Sequence, residues 1–167
     1  TNNRVYLVDG AMMAADTTLR AQTKLEGYQL GGSFHVPAGV TLSVEPGVTV
    51  MAGANEGLYV RGRLVAVGTP SSPVVFRSTG TMWTGVAFDG GSGLLRHAVV
   101  EQGGNSSEID PWRGSISIRD LPIGELRIEN SLISSANAWG ISASNSRVTL
   151  VNTVVRDNGA DGVRAAN

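Results

Sequence analysis

Leu126-Arg127-Ile128-Glu129-Asn130-Ser131-Leu132-Ile133 and, 22 residues further on, Val148-Thr149-Leu150-Val151-Asn152-Thr153-Val154-Val155 are two copies of one pattern. Apolar residues fall on apolar residues at alternate positions, and asparagine falls on asparagine. The same offset sets Gly140-Ile141 over Gly162-Val163 and Asn145 over Asn167. A period in the low twenties predicts a solenoid, because one such unit cannot bury its apolar face alone and must stack on its neighbours. A leucine-rich repeat has a similar period but needs a leucine framework and usually a helical or extended return segment. Here the return is itself β-like, with Ile141 and Val154-Val155 in separate short strands. The expected fold is therefore all-β, a right-handed parallel β-helix.

Upstream the pattern continues with variable spacing. Leu95-Arg96-His97-Ala98-Val99-Val100 matches Ile128 to Ile133 at an offset of 33, the excess fitting an excursion through Gly103-Gly104-Asn105-Ser106-Ser107-Glu108-Ile109-Asp110-Pro111. Solenoids accept such insertions in loops, since the stacked strands keep their register. Val40 to Val44, Val48 to Val50, Leu58 to Val60, Arg63 to Val67 and Pro73 to Phe76 read as period-two strands separated by Pro-Gly, Gly or a short polar link.

The succession Thr-Leu-x-Val-Glu-Pro-Gly-Val-Thr-Val (41–50), Gly-Arg-Leu-Val-Ala-Val-Gly-Thr (62–69), Pro-Val-Val-Phe (73–76) and Trp-Thr-Gly-Val-Ala-Phe (83–88) resembles the opening coils of bacterial pectate-lyase-like parallel β-helix domains. The resemblance covers roughly residues 33 to 167. It implies a module of a secreted or cell-surface protein. It carries no activity by itself, because a shared scaffold hosts many functions. Residues 1–32 fit the coil pattern poorly and are read as a terminal cap, with a first strand at Val5-Tyr6-Leu7-Val8 and a short amphipathic helix between Ala11 and Glu26. The end at Ala165-Ala166-Asn167 shows no matching cap, so self-association through exposed coil ends is a further expectation.

Composition narrows the function classes. With 41% apolar and 16% charged residues, and 22 glycines for turn positions, the chain suits a repetitive β-protein and not a disordered one. The net charge is -1 and the 13 basic residues are scattered, so no basic stripe offers itself to nucleic acid. No apolar run reaches the ~20 residues of a transmembrane helix. Cysteine is absent, which excludes disulfides and thiolate metal sites.

Three groups of residues are candidates for function. Trp83, Trp112 and Trp139 each precede a strand by one or two residues, and coils stacked about 4.8 Å apart would align them along one edge. Such rings either pack on sugar faces or shield the core at a corner. Asn130 and Asn152 form an expected structural ladder, their amides bonding between adjacent coils. His97 takes the equivalent place one coil earlier and reads as a turn residue, while His35, between Phe34 and Val36, lacks a second ligand at zinc spacing.

An enzymatic alternative rests on Glu101, Glu108, Asp110 and Arg96, with Glu129 and Arg127 in the next coil. The resemblance implies calcium-binding carboxylates with a basic residue for a lyase, or paired carboxylates on neighbouring coils for a hydrolase. No Asp-Asp pair occurs, and Glu101 is followed down its column by Ser134 and Arg156. Asp157-Asn158-Gly159-Ala160-Asp161-Gly162 lacks the twelve-residue loop and closing Glu of an EF-hand and reads as a turn. The resulting expectation is a noncatalytic structural or interaction module that meets a protein or glycan at the cell surface and needs no metal or cofactor. A carbohydrate-active lyase or hydrolase is the alternative.

Overall fold

Every strand among the described residues is short, and each finds its partner one turn away. In the computed structural model, residues 3–7, 13–105, 113–121 and 125–166 are described. β1 (Asn3–Leu7) is followed by β2 (Thr17–Leu19), β3 (Leu25–Leu30) and β4 (Phe34–Val36), then β5 (Thr41–Val44), β6 (Thr49–Ala52) and β7 (Gly57–Val60). Next come β8 (Arg63–Val67), β9 (Val74–Ser78), β10 (Gly85–Asp89), β11 (Ser92–Arg96), β12 (Ala98–Glu101) and β13 (Gly114–Arg119). The last two coils are β14 (Leu126–Glu129), β15 (Leu132–Ser134) and β16 (Trp139–Ser144), then β17 (Val148–Val151), β18 (Val154–Arg156) and β19 (Val163–Ala166).

Three parallel sheets result. Sheet A runs β1-β3-β6-β9-β12-β15-β18, sheet B β4-β7-β10-β13-β16-β19 and sheet C β2-β5-β8-β11-β14-β17. The chain visits C, A and B in turn, so the molecule is a right-handed parallel β-helix of about six turns. The 22-residue repeat is the real register, with Leu126 opposite Val148 and Ile141 opposite Val163. So is the 33-residue offset, with Leu95 opposite Ile128 and Val99 opposite Leu132.

Alternate residues of each strand point inward and form columns. Tyr28, Val50, Phe76, Val100, Ile133 and Val155 stack in sheet A. Phe34, Leu58, Val86, Ile116, Ile141 and Val163 stack in sheet B. Volume is conserved within a coil: Gly93 takes an inward position on sheet C, and a Cβ there would lie 2.8 Å from the ring of the fully buried Phe88. At the last coil the columns continue uncovered. Leu150 and Val163 are inward-facing yet 37% and 47% exposed, whereas Ile128 and Ile141 one coil earlier are 0% exposed.

From β10 onward each corner is turned by a residue in the left-handed region. His97, Asn130 and Asn152 turn C into A, Gln102, Ser135 and Asp157 turn A into B, and Asp120 and Asn145 turn B into C, all with φ between 45° and 61°. Gly90 takes that B-to-C position one coil before Asp120. A single αL residue reverses the side-chain alternation and bends the chain, and Asn, Asp and Gly adopt it at least cost.

The amphipathic helix expected between Ala11 and Glu26 is absent from the described part of that stretch, residues 13–26, which holds β2 and the start of β3. Helix propensity is a weak preference, and here backbone pairing of β2 with β5 and of β3 with β1 and β6 overrides it. Among the described residues, no helix is long and apolar enough to cross a membrane.

Candidate functional site

The corner between sheets C and A is the place where sequence-motivated residues meet an open surface. The backbone N–H of His97 donates to Glu129 O, and that of Asn130 to Val151 O, which carries the ladder of sheet C around the bend. Beneath them Ser131 is buried; its hydroxyl donates to Glu129 O at 2.7 Å and accepts from the Ala98 N–H at 3.1 Å. Thr153 repeats the donation to Val151 O one coil on. Asn152 Nδ2 donates to Asn130 Oδ1 at 3.3 Å, so the two amides form one rung between coils.

Beside this polar line, Val99, Leu132 and Val154 stand in register on the outer face of sheet A. Val154 is 52% exposed. Together with Thr69, Pro70 and Pro73 at one end and Ala98 and Ser131 in the floor, these residues line an open groove of about 450 Å³. A second open groove, about 350 Å³, lies at the B-to-C corner among Gly62, Gly90 and Gly91, with Arg61, Arg63 and Glu125 on its walls.

Trp83 and Trp139 lie elsewhere. Trp83 is 0% exposed, and its Nε1 donates to Glu101 O at 2.8 Å, so it shields the core and presents no ring face to a ligand. Trp139 is 9% exposed and lies under Arg164, whose guanidinium carbon is 4.4 Å from the ring centroid; Arg113 approaches at 5.8 Å. Val86, Ile116 and Ile141 share one column, and Trp83 stands three residues before Val86 but Trp139 two before Ile141. The two rings therefore occupy different register positions. Trp112 lies outside the described residues.

Of the acidic candidates and their arginine, the described members Arg96 and Glu101 stand on different sheets. Arg96 stands on the outer face of sheet C, where its Nε lies 2.6 Å from Glu129 Oε2, and Arg127 bonds the other carboxylate oxygen. These bonds, Arg127's first, hold the Glu129 carboxyl below the usual carboxylate range against the opposing effect of burial. Glu101 stands on a different sheet, A, above Ser134 and Arg156 in its column. Glu108 and Asp110 lie outside the described residues. Among the described residues no three His, Asp or Glu side chains gather as a metal site.

Two outer-face groupings were not read from the sequence. Asp89 on sheet B accepts from Arg119 at 2.7 Å and from Arg61 at 3.0 Å; burial pushes its carboxyl up, but these hydrogen bonds outweigh it and the net shift is downward. His35 and Tyr59 stack at 5.1 Å between centroids. The signal for the second was present, since Phe34-His35-Val36 and Leu58-Tyr59-Val60 match at a constant offset. For the first it was hidden, because neighbouring coils in sheet B differ in length and Asp89 and Arg119 fall out of any fixed period.

No family model matches the chain, and no solved structure matches it. A stretch of 71 residues, 42% of the chain, is 35% identical to part of "Protein bark beetle" of Drosophila melanogaster. The match covers 2% of that protein's length.

Proposed function

We propose that this β-helix is a noncatalytic structural or interaction module of an exported or cell-surface protein, akin to pectate-lyase-like domains. The observation that carries the reading is how the ion pairs are distributed. Glu26, Asp89 and Glu129, whose carboxyls lie below their ordinary range, are each held by arginines, Arg4, Arg119 with Arg61, and Arg127 with Arg96 respectively. They sit on three different sheets. A glycosidase needs two carboxylates facing one another across a substrate, one of them with a raised pKa. Carboxylates neutralised singly by arginine favour rigidity over proton transfer. The continuous lateral faces supply a stiff spacer and regularly spaced contacts.

The experiment is incubation of the chain with pectate, polygalacturonate, xylan and cellulose, with and without calcium, scored for new reducing ends and unsaturated uronic ends. The expected result is no release above a heat-denatured control. Release that is lost in Glu101→Gln or Arg96→Gln would overturn the noncatalytic reading in favour of a carbohydrate-active enzyme.

A second reading, self-association, is favoured by the exposed inward residues Leu150 and Val163 and by the outer edges of β17, β18 and β19, which meet no further strand among the described residues. Stacking a second copy there would cover both side chains and pair the strands. Its test is solution mass across a concentration series. Growth that Leu150→Asp abolishes supports stacking, and a constant monomer mass removes it.

A further inference from the structure

The groove at the C-to-A corner carries two tracks that repeat with the coil, one polar (His97, Asn130, Asn152) and one apolar (Val99, Leu132, Val154). We propose that it binds a neutral, extended glycan, with sugar hydroxyls on the polar track and sugar faces on the apolar one. This rests on the reading of the domain as a noncatalytic interaction module and names the ligand class.

Charge selects first. None of the described groove-lining residues is Asp, Glu, Lys or Arg; of the guanidiniums beside it, Arg96, which precedes His97, is turned to Glu129, and Arg156, two residues beyond Val154, is paired with Asp157. An ionised ligand would lose hydration there and gain no counter-charge, which disfavours acidic glycans and charged peptides. Period selects next. The rungs repeat about every 4.8 Å along the axis, whereas an extended peptide advances only ~3.4 Å per residue and turns alternate side chains away, so it falls out of step within a few rungs. A hexose in an extended chain advances by roughly one coil, and although alternate units of a β-1,4 chain are turned over, every unit still offers a flat apolar face and a hydroxyl-bearing edge. An acyl chain lacks the polar edge that the amide rung requires.

The hydrogen-bonding capacity is also in place. Asn152 spends one amide hydrogen on Asn130, and the other hydrogens of both amides and the Asn152 carbonyl make no side-chain hydrogen bond among the described residues. Their αL backbone and mutual bond hold them in position before a ligand arrives, so less freedom is lost on binding.

The test titrates the isotope-labelled chain with cellohexaose and mannohexaose, with hexagalacturonate as the acidic probe, following backbone amide signals. Saturable shifts confined to residues 97–99, 130–132 and 152–154 are expected, with binding weakened at least tenfold in Leu132→Arg. That side chain points outward, and an unchanged urea midpoint verifies the fold. Shifts centred elsewhere, no binding of either neutral hexamer, tighter binding of hexagalacturonate, or full binding by Leu132→Arg would each overturn the proposal. Shortening of a hexamer in the same samples would refute the noncatalytic reading while leaving the groove assignment standing, so the two fail separately.

Discussion

Replacing Asn130 by alanine and by glycine separates the two tasks this residue performs at its corner. Its φ is 48°, and its carbonyl oxygen accepts the Asn152 amide at 3.3 Å. The left-handed region costs an ordinary L-residue roughly 1–2 kcal/mol, a cost that Asn lessens and Gly escapes. The amide bond is long and exposed, which places it near the bottom of the roughly 0.5–1.5 kcal/mol range of such bonds. Asn130→Ala loses both contributions, about 1.5–2 kcal/mol, whereas Asn130→Gly loses the bond and some chain entropy, about 0.5–1 kcal/mol. Urea unfolding followed by tryptophan fluorescence reads the difference, since the fully buried Trp83 reports on the coil interior. With a slope of roughly 1–3 kcal/mol/M, the alanine midpoint should fall some tenths of a molar or more below the glycine midpoint. An alanine variant as stable as the glycine one would refute the argument that backbone conformation dominates at this corner.

Three further outcomes follow from the packing and the ion pairs. Trp83→Ala should cost about 3–5 kcal/mol by cavity formation, and Trp83→Phe less, about 1–3 kcal/mol, since it leaves the Glu101 carbonyl without its donor; urea midpoints check the order, and equal losses would argue against the hydrogen bond. The Glu129 carboxyl is held below its ordinary value in the folded chain, so its stabilisation is present above the unfolded glutamate value of about 4.3 and is lost as pH falls through the lowered folded value. Glu129→Gln should therefore lose less stability between neutral and acid pH than the native chain, measured as urea midpoints at each pH; parallel curves would remove Glu129 from the acid response. Tyr59→Ala, on the outer face of sheet B, should leave circular dichroism unchanged and lower stability by about 0.5–1.5 kcal/mol, read as a modest fall in urea midpoint, through loss of its stack with His35; collapse of the β-signal would show that the pair is needed for folding.

The solenoid was legible because strand pairing imposes a period. Inward positions stack on inward positions, so Leu126 over Val148 and Leu95 over Ile128 had to match in character, and alternation marked which residues point in. The asparagine rung was legible for a related reason: few residues adopt αL cheaply, and two asparagines at a constant offset mark one corner. At the other corners Gln102 and Ser135 do the same work without a compositional mark.

What the tertiary structure alone decided is everything that depends on which side chains face each other across coils of unequal length. Trp83 and Trp139 both stand just ahead of an apolar alternation in the sequence, yet Trp83 is enclosed two residues before β10 whereas Trp139 opens β16 beneath Arg164, one register position nearer the inward column. Arg96 was as free to meet Glu101 as Glu129 until sheet assignment put the first pair on different faces and the second side by side. The N-terminal stretch became β2 and β3 through pairing with neighbouring coils, a gain that no local propensity within Thr17 to Glu26 records. Local sequence carries the strand alternation and the turn chemistry, which act between near neighbours in the chain, and the period shows because stacked coils of similar length repeat both. The outer-face ion pairs join residues about 28 to 33 positions apart on coils of unequal length, and only the closed coil brings them within hydrogen-bonding reach.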